Sequence, residues 1–76
     1  MDKPMADRLP QYRKVKITTD RFRTEGVPAG TIGWIIEIHE DQAGPAYEVE
    51  IIDNEGHTLA LVVPRNGELE LLPETE

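Results

Sequence analysis

Thr31-Ile32-Gly33-Trp34-Ile35-Ile36-Glu37-Ile38-His39 is the most strand-like stretch of the chain. β-Branched and aromatic side chains dominate it, and these fit a pleated, half-buried surface. Ile32, Trp34, Ile36 and Ile38 share one phase of a two-residue period; Gly33, Ile35, Glu37 and His39 share the other. A glycine inside such a run marks a bulge, a bend or a close approach of another strand. A change of phase at Gly33 would therefore exchange the places of Trp34 and Ile35.

Outward from this stretch the pattern repeats. Residues 40–45 contain Asp41, Gly44 and Pro45 and read as a hairpin connection. Residues 46–52 form the next strand, with Tyr47, Val49 and Ile51 on one side and Glu48 and Glu50 on the other. Asp53-Asn54-Glu55-Gly56 is a tight turn, since Asn54 and Gly56 tolerate positive φ. A strand over about 57–63 follows, with Leu59, Leu61 and Val63 in one phase, and Pro64, Asn66 and Gly67 end it. A short last strand spans 69–72. Upstream, residues 19–30 are a loop carrying Gly26, Pro28 and Gly30, with Phe22 and Val27 as its anchors. Residues 14–18 alternate, Val15 and Ile17 inward, Lys14, Lys16 and Thr18 outward. Residues 1–11 hold two prolines and no period and read as a flexible arm. The domain proper is expected over 12–73, with a frayed tail at 74–76.

Five short strands, regular turn signals and no helical period describe an all-β domain, a small five-stranded SH3-like barrel. The expected inward set is Val15, Ile17, Ile32, Ile36, Ile38, Tyr47, Val49, Ile51, Leu59, Leu61, Leu69 and Leu71. Seventy-six residues hold one domain, and a chain this short buries only about 60% of its unfolded surface. With no cysteine, disulfides and thiolate zinc sites are excluded, and a partner subunit becomes a natural stabiliser. The absence of an apolar run of membrane length and of a signal-like N-terminus leads to the expectation of a cytoplasmic protein.

Gly30-Thr31-Ile32-Gly33, the run ending in Glu37-Ile38, Ala46-Tyr47-Glu48-Val49-Glu50 and the turn at 53–56 resemble a family of short bacterial domains of unknown function. The resemblance covers about residues 14–72. Those domains are similar in turn to the SH3-like barrels of KOW-type ribosomal and transcription modules and of the nitrile hydratase β subunit. The resemblance implies the fold and little about function, because such barrels host many roles. Trp34 stands where the family pattern implies a small or β-branched residue.

The net charge of −7 is unevenly spread. Residues 1–23 carry +4 and residues 24–76 carry −11. Either the two segments lie side by side and neutralise each other, or the fold presents an acidic face to a basic partner.

Little in the chain can do covalent chemistry. Serine and cysteine are both absent, and no threonine has a recognisable base beside it. Glu48 and Glu50 stand about 6.5–7 Å apart by strand rise, a spacing glycosidases use, but no aromatic-flanked sugar cleft accompanies them. His39 and His57 each have acids nearby, yet a metal site needs them to converge across strands. The turn at 53–56 lacks the ligand ladder of a calcium loop. The expectation is a protein that is not an enzyme and needs no cofactor or metal.

Two binding readings remain. In the first, the domain is a protein-interaction module or small regulator, an immunity or antitoxin-type inhibitor being one instance. It meets a basic protein through Trp34, Glu37, Glu48 and Glu50, electrostatically or by strand addition, and it can be a homodimer. In the second, nucleic acid binds Arg13, Lys14, Lys16, Arg21 and Arg23, with Tyr12 and Phe22 interleaved for stacking. A third reading, an accessory subunit of a larger enzyme, follows only from the nitrile hydratase likeness. No membrane association is expected.

Overall fold

The computed structural model describes residues 9–74, with the backbone alone of Asp41. Most of the arm expected over 1–11 and the end of the expected tail lie outside the described residues. Five strands form: β1 (Lys14–Ile17), β2 (Ile32–Asp41), β3 (Gly44–Ile52), β4 (Thr58–Val62) and β5 (Leu69–Leu71). A single 3-10 turn, Arg23–Glu25, lies between β1 and β2. The strands make one antiparallel sheet in the order β4-β3-β2-β1-β5. Among the described residues no helix is long and apolar enough to cross a membrane.

The fold is all-β and five-stranded, as the patterning implies. The hydrogen-bonded ladder is open: β4 and β5 are its two edges. The sheet nevertheless wraps on itself. One buried cluster draws Val15 and Ile17 from β1, Ile35 from β2, Tyr47, Val49 and Ile51 from β3, Val62 from β4 and Leu69 from β5. Phe22 and Val27 join that cluster from the long loop. Within the loop the Val27 N–H donates to the Phe22 carbonyl, and Asp20 Oδ1 accepts the Ala29 N–H at 2.9 Å. These bonds turn the segment back so that both apolar side chains face the core.

Gly33 sets how sharply the sheet curls. It is buried in β2 opposite Val15. A Cβ there would lie 2.6 Å from Ile51 Cδ1, 2.7 Å from Val49 Cγ1 and 2.9 Å from the Glu50 carbonyl oxygen. The two side chains can rotate aside, but the carbonyl belongs to the ladder and cannot. Glycine therefore stands here for close approach. Tyr47 closes the other end of the core. Its buried hydroxyl accepts the Leu9 N–H at 3.1 Å and donates to Asn66 Oδ1 at 2.6 Å. One polar atom thus ties residue 9, β3 and the segment after β4.

Two irregularities correct the expected core. The β2–β3 register shifts between Ile35 and Glu37. Before this bulge Gly33 and Ile35 face inward; after it Ile38 does, and Ile36 is the half-buried extra residue. Ile32, expected inside, is exposed. The second shift falls opposite Ile51/Ile52 on β4. There Ala60 and Val62 turn inward, and Leu59 and Leu61, also expected inside, are exposed at 64% and 51%. Both corrections have one cause: an extra residue reverses the phase of everything beyond it.

Gly33→Ala is expected to lower unfolding stability by about 1–3 kcal/mol through overpacking against a backbone atom. Urea unfolding followed by circular dichroism measures it. An unchanged midpoint would show that β3 can retreat from β2 at no cost.

Candidate functional site

The curled sheet has an inner face full of apolar side chains and an outer face that the pleat fills with alternate residues. Register places one row across four strands of that outer face: Lys14 opposite Trp34, Trp34 opposite Glu50, Glu50 opposite Leu61. Glu37 pairs directly with Glu48 farther along the same two strands. The four residues expected to contact a protein, Trp34, Glu37, Glu48 and Glu50, therefore share one face. Trp34 points outward at 38% exposure, so it is not part of the core. Ile32, Ile52 and Leu61 are further exposed apolar side chains.

The carboxylates have local partners. Glu48 Oε2 lies 2.6 Å from His39 Nε2 across the β2–β3 ladder. Glu50 accepts a hydrogen bond from the Thr58 hydroxyl on β4. Glu48 and Glu50, the pair with glycosidase-like spacing, are thus each engaged by a neighbouring strand. The direct opposition of Glu37 and Glu48 is unfavourable by itself, since like charges facing across an antiparallel pair repel.

The cations expected for nucleic acid do not form one cluster, although Arg13 and Lys14 line one groove. Arg21 forms a two-pronged pair with Glu68, Nε to Oε2 at 2.8 Å and Nη2 to Oε1 at 2.7 Å, and lies 4.4 Å over the Phe22 ring. Arg13 donates to the Leu72 carbonyl at 2.9 Å and lies 3.3 Å from a Glu74 carboxylate oxygen. Lys14 and Lys16 project from the outer side of β1, Lys14 Nζ 5.9 Å from the Trp34 ring centre. Arg23 is exposed in the 3-10 turn. The basic N-terminal segment and the acidic C-terminal one do lie side by side at Arg21–Glu68 and Arg13–Glu74.

An open groove of about 350 Å³ continues the outer face, lined by Tyr12, Arg13, Lys14, Trp34, Pro73 and Glu74. Tyr12 has φ 65°, a left-handed conformation that side chains other than glycine rarely take. Its N–H donates to the Ile35 carbonyl at 2.7 Å, and the Gln11 side chain donates to the Ile36 carbonyl at 2.8 Å. The chain kinks there because it is bonding to the carbonyls of the β2 bulge.

Asp53, Glu55 and His57 bring three possible ligand atoms within 4.8 Å of one another. The turn's own bonds account for this grouping. Asp53 Oδ1 accepts the N–H groups of Glu55 and His57 at 2.8 and 2.9 Å, and its Oδ2 lies 3.3 Å from His57 Nδ1. His39 lies on β2 in a separate pair with Glu48, so the two histidines do not converge.

A family model, the domain of unknown function DUF4926, matches residues 12–71. The chain belongs to the DUF4926 family. The match runs from Tyr12 through β5 and takes in all five strands and the whole outer row. No curated protein and no solved structure matches the chain, so the likeness to KOW-type and nitrile hydratase barrels has no support from solved structures. The placing of Lys14 beside Trp34, and the exposure of Ile32 and Leu61, were not legible in the sequence. The small Ala60 between two leucines was the one signal that the strand over 57–63 turns its leucines outward.

The Arg21 hydrogen bonds hold Glu68 below its ordinary value of 4.5, and the Arg65 N–H adds to the effect. Asp53 is lowered chiefly by the His57 backbone N–H. Groups lowered in the folded state bind more protons when unfolded, so stability rises with pH through this window. Their contribution is complete above about pH 4.5 and is lost as pH falls through the folded values. Urea midpoints measured from neutrality into acid are expected to fall below that point. Glu68→Gln should start lower at neutrality and show a shallower acid decline; an identical decline would remove Glu68 as a cause.

Proposed function

We propose that this domain is a non-enzymatic binding module whose outer sheet face is its contact surface. The observation that carries the reading is the opposition of Glu37 and Glu48 next to Glu50 and Trp34 on one face. A fold that needs only stability gains nothing from two carboxylates set against each other. A cationic partner would convert that repulsion into attraction, and conflicts of this kind concentrate where a surface is used. The tryptophan and its apolar neighbours supply an anchor of the type that dominates interfaces, and the glutamates supply steering and register.

The arrangement favours a protein over a nucleic acid as the occupant of this face. Its carboxylates would repel phosphate, and Arg13 and Arg21 lie against Glu74 and Glu68. Regulation by occlusion, as an inhibitor of a basic protein, is the kind of role such a face can serve.

The test separates stability from binding in one variant. Glu37→Gln is expected to raise unfolding stability by about 0.2–1 kcal/mol, because it removes a like-charge cross-strand pair. The same change, and more strongly the triple Glu37→Gln, Glu48→Gln, Glu50→Gln, is expected to reduce capture of a host protein by the tagged domain. It should also flatten the salt dependence of that capture. Capture that ignores both the triple substitution and salt would overturn the reading.

A further inference from the structure

We infer that the partner docks as an extended segment added to the free edge of β4, with lysine or arginine at every second position. The inference rests on the binding-module reading and names the chemistry of the partner within it.

β4 is one of the two edges of the ladder. Its register with β3 continues past the strand, from Ile51 opposite Ala60, Glu50 opposite Leu61 and Val49 opposite Val62 to the isolated bridge of Ala46 with Arg65. Val63 therefore stands opposite Glu48. The Tyr47 N–H donates to the Pro64 carbonyl at 2.9 Å. Pro64, and with it every second residue back along the strand, thus aims its backbone at β3, while Leu61 and Val63 aim theirs away from the sheet. Arg21 Nη2 lies 3.4 Å from the Val63 carbonyl oxygen, which agrees with that direction and closes the far end of the edge. The Leu61 N–H and carbonyl are left on the open side. Sheet edges are ordinarily blunted by charge, proline or a bulge. The other edge, β5, carries Glu70. Thr58–Val62 carries no charged side chain, its bulge lies before Leu61, and the donor that Pro64 lacks is on the β3 side.

The side chains along this edge set the chemistry of what it takes. Leu61 and Val63 are exposed at 51% and 43%, and each stands just outside a glutamate, Leu61 beside Glu50 and Val63 beside Glu48. A strand added to β4 brings its own outer-face residues about 4.8 Å from Leu61 and Val63, and about 10 Å from the glutamates of β3. A long cationic side chain and a glutamate together span that gap. Lysine or arginine there lays its aliphatic stem over Leu61 or Val63 and sets its charge against the carboxylate beyond. Because outer-face residues recur with a period of two, one cation meets Glu50 and the cation two positions away meets Glu48. Glu50 accepts the Thr58 hydroxyl on one oxygen and Glu48 meets His39 through Oε2, so each carboxylate keeps its other oxygen for a second donor. Main-chain bonds at Leu61 supply the affinity of strand addition, and the alternate cations supply its selectivity.

Amide hydrogen exchange on the full chain at low salt, read residue by residue by nuclear magnetic resonance, tests the edge without any substitution. In the free domain Ala60 and Val62 are expected to exchange slowly and Leu61 quickly. The probe is a short capped peptide of alternating lysine and valine; its control has the same composition with the lysines in one block. At a concentration ten times its dissociation constant the alternating peptide is expected to slow Leu61 exchange about ten-fold, and the block peptide to leave it unchanged. Glu48→Gln and Glu50→Gln should each weaken the alternating peptide by up to about five-fold, the value of an exposed ion pair. Leu61→Pro removes an N–H that β3 does not use, which an edge strand tolerates, and is expected to abolish binding; Leu61→Val keeps that N–H and should retain it. Leu61 exchange that the alternating peptide leaves unchanged overturns the inference, as does equal protection by both peptides. So does protection that arises without peptide as the domain is concentrated, because a second copy would then hold the edge. Capture of a host protein that depends on Glu37 while Leu61 stays unprotected keeps the binding-module reading and removes only the added strand.

Discussion

A missing side chain organises this domain. At Gly33 the β2 strand passes so close to β3 that a single carbon would meet the Glu50 carbonyl at 2.9 Å. That approach lets a sheet of only five short strands curl far enough for all of them to contribute to one core. A chain this small has little apolar area to spend, and a flatter sheet would leave Val15, Val49 and Ile51 half in water. The bulge between Ile35 and Glu37 and the tethering of Gln11 and Tyr12 to its carbonyls lie next to this point of curvature.

The curl also creates the outer face. Side chains that alternate with the core residues stand on its outside, and there Trp34 sits between a lysine and a glutamate. Two arginines elsewhere hold distant parts of the chain together. Arg21 bridges the long loop to Glu68 near β5, and Arg13 reaches the end of the chain at Leu72 and Glu74. The face around Trp34 differs from these regions. Its like charges oppose one another, its unlike charges are separated by an aromatic ring, and its apolar groups are exposed. Those three properties suit a surface that meets another molecule.

Much of the fold was legible in the sequence because its turns are chemically explicit. Asp53 to Gly56 closes its hairpin with the Asp53 carboxylate accepting two backbone N–H groups, as an Asx-type turn must. The strand over 46–52 alternates cleanly, and Tyr47, Val49 and Ile51 are all buried. Phe22 and Val27 were recognisable as loop anchors because an apolar side chain in a polar loop has nowhere else to go. The phase of the strands over 31–39 and 57–63 was not legible. A bulge adds one residue to one strand only, and nothing in a run such as Ile35-Ile36 tells which isoleucine is the extra one.

The sequence by itself determined the number of strands, their order along the chain and the turns between them. These depend on local chemistry: glycine and asparagine at positive φ, proline where a ladder cannot continue, β-branched residues where a pleat is packed. Only the tertiary structure decided which side of β2 and of β4 is inside. It therefore also decided that Trp34, Ile32 and Leu61 face solvent beside Glu50 and Lys14. The physical reason is that inside and outside differ by one residue of register, and register is settled by contacts between strands distant in sequence, above all the close passage of β3 over Gly33.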